Sequence, residues 1–257
     1  MTDFEFIKLT KSDGVARVVF ARPKQHNVFN IEMMNQFISV LEELIADKDL
    51  KCVVLQAEGK SWCAGLDVGD HKPENAPEMI AVFNKSLKLI GDFEIPTIAA
   101  VRGACLGGGM EYAIACDVVI ASKRAKFGQP EIKLGFLPPY AAIRLPLLVG
   151  PAKTIEVCTS GKIYSAEEAR SMGFVSQTAE DDDFEAAVDK FIGEIQVNSP
   201  LIIRLNKRAV TQHLGMAFSD AVESVSDLFL NTLLKTEDTM EGIDSFYAKR
   251  RPEWKNR

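Results

Sequence analysis

Ala104-Cys105-Leu106-Gly107-Gly108-Gly109-Met110-Glu111-Tyr112-Ala113-Ile114-Ala115-Cys116-Asp117 is the stretch on which the reading of the fold turns. Three glycines stand between a short apolar run and a helix-compatible segment. The chain therefore enters a helix there with its first backbone N–H groups bare and aimed at whatever binds. Glu111, one turn further on, reaches the same spot. A second glutamate, Glu131, closes Phe127-Gly128-Gln129-Pro130-Glu131. Bare amides beside two carboxylates are parts of a site that stabilises an anion and moves protons. In a dry pocket two carboxylates do not easily carry two charges, so one pKa should rise toward neutrality. Taken alone, the glycines equally serve close helix packing and the glutamates equally belong on the surface, where most glutamates lie. The apolar residues flanking Glu111 speak against simple exposure.

A second glycine-containing loop, Trp62-Cys63-Ala64-Gly65-Leu66-Asp67, follows the apolar run 52–57, which reads as a buried strand. One amide from each loop makes an oxyanion hole, and losing one such donor typically costs roughly 100- to 1000-fold in turnover. Runs at 4–9, 15–20, 97–101 and 117–121 also read as strands. Between them, 31–47 carries Met33, Met34, Phe37, Val40, Leu41, Leu44 and Ile45 on one helical face, and 79–90 repeats the pattern more loosely. The stretch 69–77, with two prolines and no apolar period, predicts an exposed loop. From 166 onward the chain reads as helices. Ser165-Ala166-Glu167-Glu168 is a capping box, Gly173 suits a helix end, Pro200 suits a first turn, and helical segments follow at 201–213, 217–234 and 236–249. The fold class expected is α/β, with a core over 1–195 and a C-terminal helical region over 196–257.

The chain has 257 residues, 47% of them hydrophobic, enough for a substantial core without staples. Its five cysteines include no C-x-x-C pair, and His26, His71 and His213 lie far apart. Neither a disulfide framework nor a metal site is expected. Cys63 has no histidine pattern marking it as a nucleophile. The opening Met1-Thr2-Asp3-Phe4-Glu5 lacks a basic region followed by a long apolar run, and no stretch approaches the ~18 apolar residues of a membrane span. A cytoplasmic protein without membrane contact is expected. A net charge of −6 argues against a nucleic-acid surface, although Arg22, Lys24, Lys249, Arg250 and Arg251 are candidates for a local phosphate-receiving patch.

Together, Arg22-Pro23-Lys24-Gln25-His26-Asn27, residues 62–67, 104–117 and 127–135, Asn198-Ser199-Pro200 and Glu241-Gly242 near the end resemble the enoyl-CoA hydratase/isomerase (crotonase) superfamily over nearly the whole length. The resemblance implies a spiral of strand-strand-helix repeats whose C-terminal helices pack between subunits of a homotrimer or a dimer of trimers. It implies an acyl-CoA thioester substrate and no cofactor beyond the coenzyme A that substrate carries. Ala64 and Gly108 match the positions whose amides hold the thioester oxygen. Glu111 and Glu131 match the carboxylates that hold a water and move protons. Trp62, Pro139 and Tyr140 fall on the substrate side. Lys24, His26, Asp67, Phe246 and Lys249 fall on the coenzyme A side, Asp67 also serving to brace its loop and Lys249 also suiting a merely solvated helix end.

The departure lies beyond Glu131, where hydratases of this family run into Pro-Gly-Ala-Gly-Gly and this chain has Pro138-Pro139-Tyr140-Ala141-Ala142. Pro139 replaces a glycine whose amide helps place the water, and proline has no N–H to give. The segment 134–139 is similar to that of cyclohexadiene-carbonyl-CoA hydratases, and two prolines with a tyrosine suit a flat ring. The expected activity is hydration of a conjugated enoyl-CoA thioester, with cyclohexa-1,5-diene-1-carbonyl-CoA foremost. A general short-chain hydratase, an isomerase, and a non-catalytic acyl-CoA- or RNA-binding homologue are the rivals, since fold does not fix function.

Overall fold

The computed structural model describes residues 4–257. The expectation drawn from the first five residues falls in part on residues 1–3, which lie outside the described residues.

Strands β1 (Ile7–Ser12) and β2 (Val15–Phe20) form a hairpin closed by Asp13-Gly14, both at positive φ, the two-residue turn that suits strand twist. β1 begins three residues later than the apolar run at 4–9 suggests and runs on to Ser12. Its later positions are largely exposed, so the ladder continues where the hydrophobic alternation stops. From β2 the sheet grows in parallel through β3 (Cys52–Ala57), β5 (Thr97–Val101), β7 (Val118–Ser122) and β10 (Gln177–Ala179). A second sheet stacks the three-residue strands β4 (Ser61–Cys63), β6 (Ala104–Leu106), β8 (Lys126–Gly128) and β9 (Ile163–Ser165), parallel except for β9. Each turn of the chain lays one strand in the large sheet, the next in the small sheet, and then a helix. Thus β3 and β4 lead to α2 (Ala76–Asp92), and β5 and β6 lead to α3 (Gly108–Ala115).

Helix α1 (Ile31–Ala46) starts at Asn30, whose side chain accepts from the Met33 N–H at 3.0 Å, and it packs against α2. Both helices bury aromatic rings around Tyr112 of α3. Its ring lies 4.9 Å from Phe29, 5.5 Å from Phe37 and 5.2 Å from Phe83 between centroids, and its hydroxyl meets Ser86 Oγ at 2.7 Å. Edge-to-face packing of this kind is directional. Because Tyr112 adjoins Glu111, this cluster fixes the helix that carries the first glutamate.

After β8 the chain makes a single tight turn, Pro130–Leu134, then α4 (Ala141–Val149) and α5 (Pro151–Ser160). Helix α6 (Ala166–Met172) is opened by the Ser165/Glu168 capping box and ends on Gly173 at positive φ, as its sequence predicts. Helix α7 (Phe184–Gln196) buries Phe184, Val188 and Ile192 on the outer face of the large sheet. Helices α8 (Pro200–Thr211), α9 (Phe218–Asp227) and α10 (Glu237–Ala248) follow, and the segment predicted as one helix to 234 changes pitch after Asp227 into a π turn and a 3-10 turn. The buried Asp238 carboxylate holds the tail, accepting from Ser199 Oγ, Lys255 N at 2.6 Å and Asn256 N at 3.0 Å. No helix among the described residues is long and apolar enough to cross a membrane.

Candidate active site

The glycine run acts at two positions. Gly107 sits at φ 55°, which an L side chain rarely adopts, and a Cβ there would lie 2.7 Å from Glu131 Oε1, so the carboxylate rests directly on the backbone. Gly108 is the first residue of α3, and its N–H therefore has no carbonyl of the helix to donate to. A Cβ on Gly108 would lie 2.6 Å from Leu66 Cγ, which places the loop after β4 against this helix start.

That loop corrects the choice of donor. The Ala64 N–H is already committed, donating to His26 O at 3.1 Å. Two residues on, Leu66 bridges Phe29 in parallel. Phe29 N donates to Gly65 O at 3.0 Å and Asp67 N donates to Phe29 O at 2.8 Å, so Leu66 turns its own N–H the other way, toward Gly108. In an extended bridge the amides alternate sides. The amides free to face the cavity together are those of Leu66 and Gly108.

Glu111 is buried, 1% exposed, and its Oε1 accepts from Tyr140 N and Ala141 N, each at 2.7 Å. These are the residues at the start of α4, where unpaired amides are available. Oε2 has no donor among the described residues, is not sealed in, and opens on the cavity that Glu111 lines. Glu131 is half-buried. With its amide nitrogen turned toward the carboxylate, the fully buried Gln129 donates to both oxygens of Glu131 at 3.0 Å. Burial pushes the Glu111 carboxyl up to about 7. The Ala141 and Tyr140 amides pull it down, and the charge of Glu131 adds to the rise. Burial likewise pushes Glu131 up to about 7. Both groups thus exchange protons near neutrality, as acid/base work requires.

The two glutamates and the two loops line one cavity of about 330 Å³. Its remaining wall is apolar: Met79 and Phe83 from α2, and Phe136, Leu137 and Pro139 from the segment before α4. His71 closes it from the other side, with its ring 5.0 Å from that of Phe136 and its Nδ1–H donating to Asp67 O at 2.8 Å. Pro139 lines the cavity as its sequence position predicts. Two other substrate-side expectations are corrected. Trp62 is core, 1% exposed, packed 5.1 Å from Phe20 with its indole N–H donating to Leu55 O at 3.3 Å. Tyr140 lends its backbone to Glu111 while its ring packs on the core and does not line the cavity.

The other candidates scatter. Lys24 stands exposed on the turn Pro23–Gln25. His26, at φ 52°, meets Ser61 Oγ through Nδ1 at 3.0 Å and supports the Ala64 loop with its carbonyl. Asp67 caps the turn Val68–His71, its Oδ1 accepting from Gly69 N at 2.8 Å, which braces the loop as expected. Phe246 and Lys249 lie at the end of α10, exposed and away from the cavity lining of their own chain. Arg22 donates to Val28 O at 2.8 Å and lies over the Phe6 ring, and Arg250 is paired with Glu241. Sequence reasoning missed Leu66 and His71. The bridge to Phe29 that turns the Leu66 amide inward is a long-range pairing with no local signal, and His71 reads as part of an exposed loop.

Comparison with known proteins gives the family. The model of the family described as enoyl-CoA hydratase/isomerase matches residues 10–257. A cyclohexa-1,5-dienecarbonyl-CoA hydratase of Thauera aromatica is 32% identical over 251 residues, covering 97% of this chain and 96% of its own. A short-chain-enoyl-CoA hydratase of Clostridium acetobutylicum is 32% identical over 255 residues, covering 97% of each. The crystal structure of an enoyl-CoA hydratase from Bacillus anthracis superposes with a TM-score of 0.93 over 98% of this chain and 100% of that one, at 25% identity. With its spiral fold, paired glutamates and free amides at Leu66 and Gly108, the chain belongs to the enoyl-CoA hydratase/isomerase family.

Proposed function

We propose that this protein adds water to a double bond conjugated with a coenzyme A thioester, and that its substrate is cyclohexa-1,5-diene-1-carbonyl-CoA. The thioester oxygen accepts from the Leu66 and Gly108 N–H groups. Charge that develops there during addition meets donors already in place. Glu111 works ionised, because two backbone donors on Oε1 favour its anion. Oε2 takes a proton from water as the hydroxyl bonds to the unsaturated carbon. Glu131, protonated, gives its proton to the carbon that carries the resulting enolate charge. The proton on Glu111 then passes to Glu131 through solvent or product, which restores the starting state. No redox cofactor or metal enters this scheme, and coenzyme A arrives with the substrate.

One observation carries the reading: the Glu111 carboxylate is held by the amides that follow Pro138-Pro139, in a cavity whose wall, Glu131 and His71 apart, is of apolar side chains. The usual glycine amide is missing at Pro139, and the next two residues fix the glutamate instead. The rigid proline and Phe136 suit a flat ring, and the Thauera relative supports the same substrate. A general short-chain hydratase is the second reading, favoured by the equal identity of the Clostridium relative. Part of the reading is assembly as a homotrimer or a pair of trimers. Phe246 and Tyr247, 79% and 80% exposed on α10, are aromatic surface that a neighbouring copy would cover.

The test is turnover of cyclohexa-1,5-diene-1-carbonyl-CoA and crotonyl-CoA side by side, with products weighed by mass spectrometry. Gain of one water on the cyclic thioester, at a kcat/KM at least tenfold that on crotonyl-CoA, supports the specialised enzyme. Preference for crotonyl-CoA returns the general hydratase, and silence on both removes hydration.

A further inference from the structure

Helices α3 and α4 are tied twice, in opposite directions. Glu111 on α3 accepts from the first residues of α4, and Arg144 on α4 donates through Nε to Ile114 O in the last turn of α3, at 3.1 Å. Ile114 lies one turn beyond Glu111, and Arg144 one turn beyond Tyr140. The two ties are therefore adjacent and fix both the spacing and the rotation of one helix against the other.

Arg144 is suited to this and to little else. It is half-buried, and among the described residues its guanidinium meets no carboxylate and makes this single protein hydrogen bond. A cation at the carbonyl end of a helix is favourable on its own account. Helix α4 also needs an external anchor, since Pro146 in its interior supplies no N–H for the Ala142 carbonyl and interrupts the ladder. Leu145, fully buried, holds one side of α4 against the core, and Arg144 holds the side that faces α3.

We propose that Arg144 is a positioning residue for Glu111: by tying α4 to the last turn of α3 it keeps the Tyr140 and Ala141 amides on Oε1 and leaves Oε2 alone to meet the water. Without that tie the start of α4 drifts, the two 2.7 Å bonds lengthen, and the carboxylate loses both its orientation and its preference for the anion. The effect on turnover rests on the hydratase reading given above. The effect on Glu111 itself does not.

The experiment separates the two. Protein labelled with ¹³C at the glutamate carboxyl carbons is titrated by NMR, with the Glu111 signal assigned by its absence in Glu111→Gln. The titratable groups around Glu111 are Glu131 from the turn after β8, Tyr112 of its own helix, Tyr140 of α4 and Cys158 of α5, and none of them is altered. In Arg144→Met the Glu111 midpoint is expected to rise by about one pH unit, because bonds that favour its charged form are lost. Arg144→Lys, which still places a donor near Ile114 O, returns at least half of the rise. Arg102→Met, which breaks a peripheral pair with Asp181, leaves the midpoint unmoved. On the substrate that the unmodified enzyme hydrates, Arg144→Met is expected to lower kcat tenfold or more with KM within about twofold, as for an interaction made in the transition state. Arg144→Leu, which has no donor to offer Ile114 O, takes the same readings should Arg144→Met not fold. An unmoved Glu111 midpoint in a folded variant overturns the proposal. Absence of hydration by the unmodified enzyme would remove the hydratase reading and leave the titration result standing.

Discussion

Replacing Glu111 by glutamine should make the protein more stable in alkali and less different from the parent in acid. Glutamine keeps the shape and, through its own Oε1, can still accept from Tyr140 N and Ala141 N, but it has no charge to desolvate. In the folded protein the Glu111 carboxyl sits at about 7 against an ordinary 4.5, chiefly through burial. A carboxyl whose folded pKa is raised contributes stability that is fully present below the unfolded value and is lost as pH climbs through the folded one. Glu111 therefore costs the parent little at pH 4.5 and most above pH 7. The rise from 4.5 to about 7, at about 1.4 kcal/mol per tenfold change in acidity, corresponds to about 3.5 kcal/mol at pH 8.5. The assay is urea unfolding followed by circular dichroism at pH 5 and pH 8.5 for both proteins. Because pH 5 already lies above the unfolded value, the stability of Glu111→Gln relative to the parent should increase by about 2.5 kcal/mol between the two pH values. A constant difference across that window, or a parent that gains on the variant in alkali, would refute the burial assigned to Glu111.

Three further outcomes follow from the same geometry. Because Glu111 and Glu131 both titrate at about 7, and one must be ionised while the other is protonated, kcat/KM should trace a bell centred near pH 7 whose limbs belong to the pair; a plateau from pH 6 to pH 9 would contradict it. Gly107→Ala sets a methyl 2.7 Å from Glu131 Oε1 at a positive φ, so activity should fall at least tenfold while the chain still folds, measured by turnover beside circular dichroism. Trp62→Phe should lower stability by about 1–2 kcal/mol as a core truncation and leave KM unchanged, since the indole packs on Phe20 and does not reach the cavity.

How far the sequence carries the reader depends on the range of the interaction concerned. The glycine run, Glu111 and the helix they open are local, and composition and spacing suffice to find them. The capping box at Ser165 and the glycine stop at Gly173 are equally local. The small sheet escapes because β4, β6, β8 and β9 are three residues each, too short for an alternation to register. Ala64 and Leu66 illustrate a finer limit. Both are apolar residues of one loop, and only pairing with Phe29, more than thirty residues earlier in the chain, decides which amide faces the cavity. Trp62 and Tyr140 stand near the cavity-lining residues in sequence, yet neither side chain lines the cavity. In an extended strand adjacent side chains point to opposite faces, and at the start of a helix the backbone rather than the ring does the work. That Pro139 has no N–H to give is legible in the sequence, whereas the Tyr140 and Ala141 amides on Glu111 become visible only with α4 packed against α3.

The most direct test of the glutamate pair as the hydrating machinery is isotopic. The unmodified enzyme, Glu111→Gln and Glu131→Gln are each incubated with the unsaturated thioester in water enriched in ¹⁸O, and the acyl product is weighed. The unmodified enzyme should place one labelled oxygen in the acyl group, and each variant should slow that incorporation by at least a hundredfold, about 2.7 kcal/mol in barrier, while still binding the thioester. Labelled product forming at a comparable rate in either variant would contradict the assignment.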